Sequence, residues 1–313
     1  MIKSRWHSGI LVFSVFTIFC GCTGVEKITP SQYSKKTSRT ITSLPNLVNG
    51  RVQIANWKNH KIRFEEFGHG SEEPIVFIHG WSCDSSFWNF QVNEFSARQR
   101  VITIDLPGHG KSDHPSFLKY SIEEFAEAIN EVFETASIRK AILVGHSLGG
   151  VVVRQFYRKF PDKVLALVIA DSDLAPWPKE SIDYVRKLAG RLKTSSYKKV
   201  IAEEIDGMFA PSTSEFLRNE IKSKMVSTAK HVMSKALLEL SEQKLYKSDF
   251  IKVPTLVVKV KYPTSKHTDE EFLRSFIQDL SYQEWENIGH FVMMEDPEKF
   301  NQAVLKFLLS KKL

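Results

Sequence analysis

Short, unbroken apolar runs recur along the chain: PIVFIHG (74–80), VITIDLPG (101–108), AILVGHS (141–147), VLALVIADS (164–172) and PTLVVKV (254–260). A strand with one wet face alternates apolar and polar positions. Runs rich in Val and Ile without that alternation predict strands buried on both faces, and hence a parallel sheet between layers of helix. RVQIANW and KIRFEEF, on either side of KNH, do alternate and predict a strand pair from residue 51. In SIEEFAEAINEVFETA, Ile122, Phe125, Ala126, Ile129 and Phe133 recur three and four apart, which predicts a helix with one face on the sheet. Ser121 is its predicted N-cap and Glu124 completes a capping box. Strand and helix in alternation predict an α/β protein with an open, doubly wound, mostly parallel sheet, whose ligands bind at the carboxyl ends of the strands.

Residues 174–248 interrupt this order with four amphipathic stretches, SIDYVRKLAGRL, YKKVIAEEIDGMF, SEFLRNEIKSKMV and KHVMSKALLELSEQKLY. They predict an inserted helical cap that divides the core into residues 51–173 and 249–313. Trp177, Met208, Phe209, Met225 and Met233 are candidates to face a site, although helical spacing favours packing inside the cap.

The first 22 residues carry Lys3 and Arg5, an apolar stretch from Ile10 to Phe19, then small residues, the pattern of a secretory signal and too short for a comfortable membrane span. FCGC, ending in Cys22, resembles the lipobox of bacterial lipoproteins, in which that cysteine is lipidated and becomes the new N-terminus. The resemblance implies export and attachment to a membrane through an N-terminal lipid. A plain cleaved signal or an uncleaved anchor are the other readings. Residues 23–50, rich in Ser, Thr, Lys and Pro without sustained periodicity, are expected to form a flexible tether. Of the three cysteines, Cys83 alone would keep a free thiol after such processing, so no internal disulfide is expected and stability must come from the core.

Composition narrows the function little. With 313 residues, 42% hydrophobic and 25% charged, the chain has ordinary globular composition. Its formal charge of +7 is spread along the chain without a basic block, which argues against nucleic acid as partner.

The chemistry is concentrated at the ends of the apolar runs. GHSLGG (145–150) follows one run and precedes VVVRQFYRKF, a helical stretch, so Ser147 stands between Gly145 and Gly149 on a strand-to-helix turn. G-x-S-x-G in that context forms a nucleophile elbow, with the serine on a strained apex and the helix N-terminus aimed at the reacting centre. FIHGWS follows the first apolar run and DLPGHGKSD the second, both ahead of the elbow, while NIGHFVMMEDPEKF places His290 between a predicted last strand, SYQEWEN, and a helix opened by Asp296–Pro297. A serine hydroxyl is a poor nucleophile until an imidazole takes its proton, and the oxyanion it creates needs fixed donors. His79, His109 and His146 read as structural residues. No histidine has metal-ligand spacing, so no metal is expected.

These stretches together resemble the α/β-hydrolase fold superfamily, specifically its capped serine hydrolases, over roughly residues 60–310. The resemblance implies Ser147 as nucleophile, His290 as general base, and the Leu148 and Trp81 N–H groups as oxyanion donors. It implies no cofactor, and a small-molecule substrate bound beneath the cap. A serine at the elbow excludes, by the same resemblance, the dehalogenase and epoxide hydrolase chemistries that need a carboxylate nucleophile. The acid is less plain. After VPTLVVKV, where the family usually places it, stand Val260, Lys261, Tyr262 and Pro263, with no carboxylate before Asp269. Some members carry the acid after the strand that follows the elbow unit, and LVIADSD there makes Asp171 the best candidate, Asp173 the second, and Asp269 or Glu270 the next; a serine–histidine dyad with no functional acid is the remaining alternative. The expected reaction is hydrolysis of a carboxylic ester or lactone. The empty acid position favours the rival reading, a ligand-binding protein on the same scaffold that hydrolyses nothing.

Overall fold

The alternating stretch folds as a hairpin, β1 (Arg51–Trp57) and β2 (His60–Phe67), joined by Lys58 and Asn59, both at positive φ. A two-residue turn of that hand matches the natural twist of an antiparallel pair. The computed structural model describes residues 41–45, 47–70, 73–247, 249–261 and 269–313. The expected signal segment, Cys22 and the tether up to residue 40 lie outside the described residues.

The unbroken apolar runs form β3 (Ile75–Ile78), β4 (Val101–Ile104), β5 (Ala141–His146), β6 (Val164–Ala170) and β7 (Thr255–Val260), and β8 (Leu280–Trp285) completes the sheet. Its order is β1-β2-β4-β3-β5-β6-β7-β8. From β4 to β8 every neighbouring pair is parallel, and β2 joins β4 antiparallel. Every residue of β3, β4, β5 and β7 is buried, the reason these segments show no alternation. At the edge, β1 leaves Val52 and Ile54 exposed.

Helices α1 (Asn89–Phe95), α2 (Ile122–Thr135) and α3 (Leu148–Lys159) connect the first strands. Helix α2 begins as its sequence predicts: the Ser121 hydroxyl accepts from the Glu124 N–H at 3.2 Å, and the Glu124 carboxylate accepts from the Ser121 N–H at 3.1 Å. Between β6 and β7 come α4 (Lys179–Arg191), α5 (Tyr197–Asp206), α6 (Glu215–Ser227) and α7 (Lys230–Leu240), the four expected inserted helices. Arg154 of α3, fully buried, pins both roots of this insertion by donating to the Leu174 carbonyl at 2.8 Å and to the Lys247 carbonyl. After β7, α8 (Glu270–Arg274) precedes β8, and α9 (Val292–Glu295) and α10 (Pro297–Lys311) close the chain. Asp296 caps α10 by accepting from the Lys299 N–H at 3.1 Å. Among the described residues no helix is long and apolar enough to cross a membrane.

Glycine at 149 is a steric requirement. A Cβ there would stand 2.3 Å from the Ile78 carbonyl oxygen and 2.6 Å from that of His79, backbone atoms of the neighbouring strand and its exit. Gly149→Ala must push α3 away from β3, at a cost of about 3 kcal/mol by analogy with overpacked cores. The expected result is a lower urea midpoint at unchanged m-value, read by far-UV circular dichroism.

Candidate active site

The β5–α3 junction puts Ser147 at φ 53° and ψ −121°, a conformation that a residue with a side chain adopts only when its surroundings enforce it. Here they do: the Ser147 N–H donates to the Ala170 carbonyl of β6 at 3.0 Å, and the Ser147 carbonyl accepts from Gly150 at 2.9 Å. The hydroxyl makes no capping bond to its own helix, and the side chain faces a buried cavity. Trp81, Cys83, His146, Met208, Met225, His290 and Phe291 line that cavity with Ser147.

His290, on the loop after β8, is held from both its backbone and its ring. Its N–H donates to the Met208 carbonyl at 2.7 Å, and its Nδ1 lies 2.6 Å from Asp171 Oδ2. Both side chains are essentially removed from solvent. Asp171 directly follows β6 at φ 42°, a left-handed turn that Asp tolerates better than most residues. Its N–H still donates to the Val258 carbonyl at 2.7 Å, while its Oδ1 accepts from the Val260 N–H at 2.9 Å. Burial works against the charge on this carboxyl, but the Lys259 ammonium, the bond to His290 and the Val260 N–H overcome it and hold Asp171 below the usual carboxylate range. An ionised acid on Nδ1 fixes the proton there and leaves Nε2 as the basic nitrogen.

The turn after β3 brings Trp81 to the other side of the serine. Gly80 permits the approach, since a Cβ there would lie 2.8 Å from His146 Nδ1 and 3.2 Å from Ser147 Cβ. Among the described residues neither the Trp81 nor the Leu148 N–H donates to a backbone carbonyl. The Trp81 indole donates to the Met233 carbonyl at 2.9 Å and ties this loop to α7.

The remaining histidines are framework. His79 Nδ1 donates to the Gly80 carbonyl at 2.8 Å and Nε2 accepts from the Leu106 N–H at 3.1 Å. His109 is pushed down to about 3 by burial and by His79, and its Nδ1 donates to the Pro107 carbonyl at 3.0 Å. His146, also pushed down to about 3 by burial and by His290, donates from Nε2 to the His290 carbonyl at 3.0 Å. All three are neutral braces around the turn. Among the described residues no group of three or more His, Cys, Asp or Glu side chains is placed to share a metal ion.

The inserted helices lie over this site. Met208 and Met225 line the cavity, whereas buried Met233 contributes only its carbonyl, Phe209 packs on Phe291 with centroids 5.6 Å apart, and Trp177 stacks on Tyr246 at 5.7 Å. About 10 Å³ is open to the centre of a water-sized sphere, room for roughly one water.

Two residues that sequence reasoning passes over have a part here. Glu295 of α9 accepts from the Gly289 N–H at 3.0 Å, from the Phe291 N–H at 3.4 Å and from the Thr213 hydroxyl at 2.5 Å, clamping both neighbours of His290 to the insertion. Burial raises its carboxyl above the usual range despite these donors. Lys259 is the other. For Lys259 the sequence signal is a charge inside the apolar run TLVVKV; Glu295, which follows FVMM and is itself followed by Asp296–Pro297, has no such signal. Of the alternative acids, Asp173 pairs with Lys259 at 2.6 Å, and Asp269 and Glu270 stand at the start of α8.

A parallel sheet in this order, a serine on the β5–α3 turn and a histidine–aspartate pair at the same end define a hydrolase-type α/β architecture. The family described as "alpha/beta hydrolase fold" matches residues 73–297, and the chain belongs to it. Among its relatives is the AB hydrolase superfamily protein YisY of Bacillus subtilis, 28% identical over 259 residues that span 78% of this chain and 93% of that protein. Among solved structures, the thermophilic esterase of Thermogutta terrifontis superposes with a TM-score of 0.74 at 24% identity, covering 83% of this chain and 98% of the esterase, a likeness of fold. Est816, described as an N-acyl homoserine lactone degrading enzyme, superposes with a TM-score of 0.68 at 27% identity, covering 82% of this chain and all of that one.

Proposed function

We propose that the protein is a serine hydrolase of carboxylic esters or lactones. The observation that carries this reading is the buried Asp171–His290 pair at 2.6 Å, whose histidine lines one cavity with Ser147 at its strained elbow. In the proposed reaction Ser147 Oγ attacks the substrate carbonyl carbon while His290 Nε2 takes its proton. The oxyanion is held by the Leu148 N–H, at the N-terminus of α3, and by the Trp81 N–H, neither of which is engaged with a backbone carbonyl among the described residues. His290 then returns the proton to the leaving oxygen, an acyl-enzyme remains on Ser147, and water activated by His290 releases the acid. Asp171 keeps the imidazole oriented and stabilises its protonated form. The small cavity beneath Met208 and Met225 favours short acyl groups, and Est816 offers a related case in which a lactone is the substrate.

The test is covalent labelling of the full-length chain by a fluorophosphonate, with the modified peptide located by mass spectrometry, alongside hydrolysis of p-nitrophenyl esters of increasing chain length. Adduct on Ser147 and turnover that falls with acyl length support the reading. A chain that takes no label and hydrolyses no ester is instead a binding protein on this scaffold.

We propose in addition that the chain is exported and lipidated at Cys22, on the lipobox-like FCGC. Metabolic labelling with an alkynyl fatty acid should mark the parent and not Cys22→Ser, and an unlabelled parent overturns it.

A further inference from the structure

Lys259 takes no part in the steps just described, yet it is one of the few charged side chains buried inside the sheet. It stands next to the last residue of β7, and its ammonium reaches the turn that carries Asp171. Nζ lies 2.6 Å from Asp173 Oδ1, 3.9 Å from Asp171 Oδ1 and 3.4 Å from the Ser172 carbonyl, to which it donates. The residue after it, Val260, gives its N–H to the same Asp171 oxygen. One short piece of β7 thus grips the Asp171 carboxylate from one side with a hydrogen bond and a full charge, while His290 holds the other oxygen.

A buried ammonium survives only beside compensating carboxylates. Burial works against the charge on Lys259, but Asp173, Asp171 and Asp269 more than offset it and keep the ammonium protonated. The other titratable groups around the set are Tyr246, buried beside Asp173, Tyr282 and Glu284 of β8, the latter opposite Lys259 in the ladder, His146 at the end of β5, with its ring 4.6 Å from that of His290, and Glu295 bracketing the His290 loop. Of all these, Lys259 is the cation nearest the acid–base pair and Asp173 is its closest counter-charge.

We propose that Lys259 is a positioning residue of the acid–base pair: bridging Asp173 and Asp171, it keeps the Asp171 carboxylate ionised and aimed at His290 Nδ1. With Asp173 it sets the pH at which His290 can take the Ser147 proton. This rests on the serine hydrolase reading. It also accounts for the acid standing after β6. The site after β7 that lacks a carboxylate is reached through a strand whose side chain there is a cation, and that cation serves the neighbouring position.

The two charges act on the imidazole with opposite sign. Without the Lys259 ammonium the protonated imidazole is easier to form, so the base becomes available only at higher pH. Without the Asp173 carboxylate the ammonium is less neutralised, protonated His290 is disfavoured, and the base becomes available at lower pH.

The experiment is the second-order rate of fluorophosphonate labelling of Ser147 across about pH 4–9, in the full-length parent, Lys259→Met and Asp173→Asn. The expected result is a midpoint raised by roughly one pH unit in Lys259→Met and lowered in Asp173→Asn. A purely structural ion bridge would slow labelling or lower the unfolding midpoint in both variants and leave the pH midpoints with the parent, which overturns the proposal. Should Lys259→Met not fold, Asp173→Asn decides alone: a lowered midpoint supports the proposal and an unchanged one overturns it. A parent that takes no label at any pH overturns the hydrolase reading, and this inference with it.

Discussion

Ser147→Ala is expected to lower kcat for a short-chain p-nitrophenyl ester by roughly 10⁴- to 10⁶-fold and to abolish fluorophosphonate labelling. The size follows from what the hydroxyl does in the proposed cycle. It is the atom that forms the acyl-enzyme, and without it water must attack unaided in a cavity with room for roughly one molecule. Some rate above the uncatalysed reaction should persist, because the Leu148 and Trp81 N–H groups still favour a developing oxyanion. Stability should not fall. The substitution removes a hydroxyl that caps nothing and leaves the backbone bonds to Ala170 and Gly150 in place. The measurement is steady-state turnover corrected for contaminating activity, with thermal unfolding as the control. A variant that keeps parental kcat removes Ser147 from the chemistry.

The elements legible in the sequence are those whose signal is local. Buried parallel strands announce themselves as unbroken Val and Ile runs, α2 through its capping box, and the elbow through glycines whose missing side chains are needed by backbone at known offsets. The inserted helices are equally visible as amphipathic stretches. Contacts made across the sheet are less so. Spacing leaves Asp171, Asp173, Asp269 and Glu270 open as acids, because choosing among them requires knowing that β6 and β7 are neighbours and that the chain turns left-handed at residue 171. Lys259 and Glu295 are harder still. Lys259 looks like an interruption of an apolar run and Glu295 like the first charge of the polar stretch EDPEK, and their partners lie 86 and 82 residues away in sequence, at Asp173 and Thr213. Which methionines reach the cavity is likewise a matter of how the helices rotate against the core: Met208 and Met225 do, and Met233 does not.

The acid is where a single atom carries the largest remaining effect. Asp171→Asn is expected to reduce kcat/KM roughly 10⁴-fold, about 5.5 kcal/mol of transition-state stabilisation, by analogy with the same change in a serine protease triad. The amide is the same shape and can still accept from the Val260 N–H through its oxygen. Its nitrogen then faces His290 Nδ1 as a donor. The imidazole must answer with the other tautomer, protonated at Nε2, and in that form it cannot take the Ser147 proton. Two further losses act in the same direction: no negative charge remains to stabilise the protonated ring, and Lys259, 3.9 Å away in the parent, now opposes it with only Asp173 close by. Asp269→Asn, at the start of α8 and outside the His290 hydrogen bond, should stay within a few-fold of the parent. Equal losses in the two variants would move the acid to the β7 side. Full activity in Asp171→Asn would mean that His290 works without an acid, in which case the 2.6 Å bond serves the fold of the β6 turn and not the chemistry.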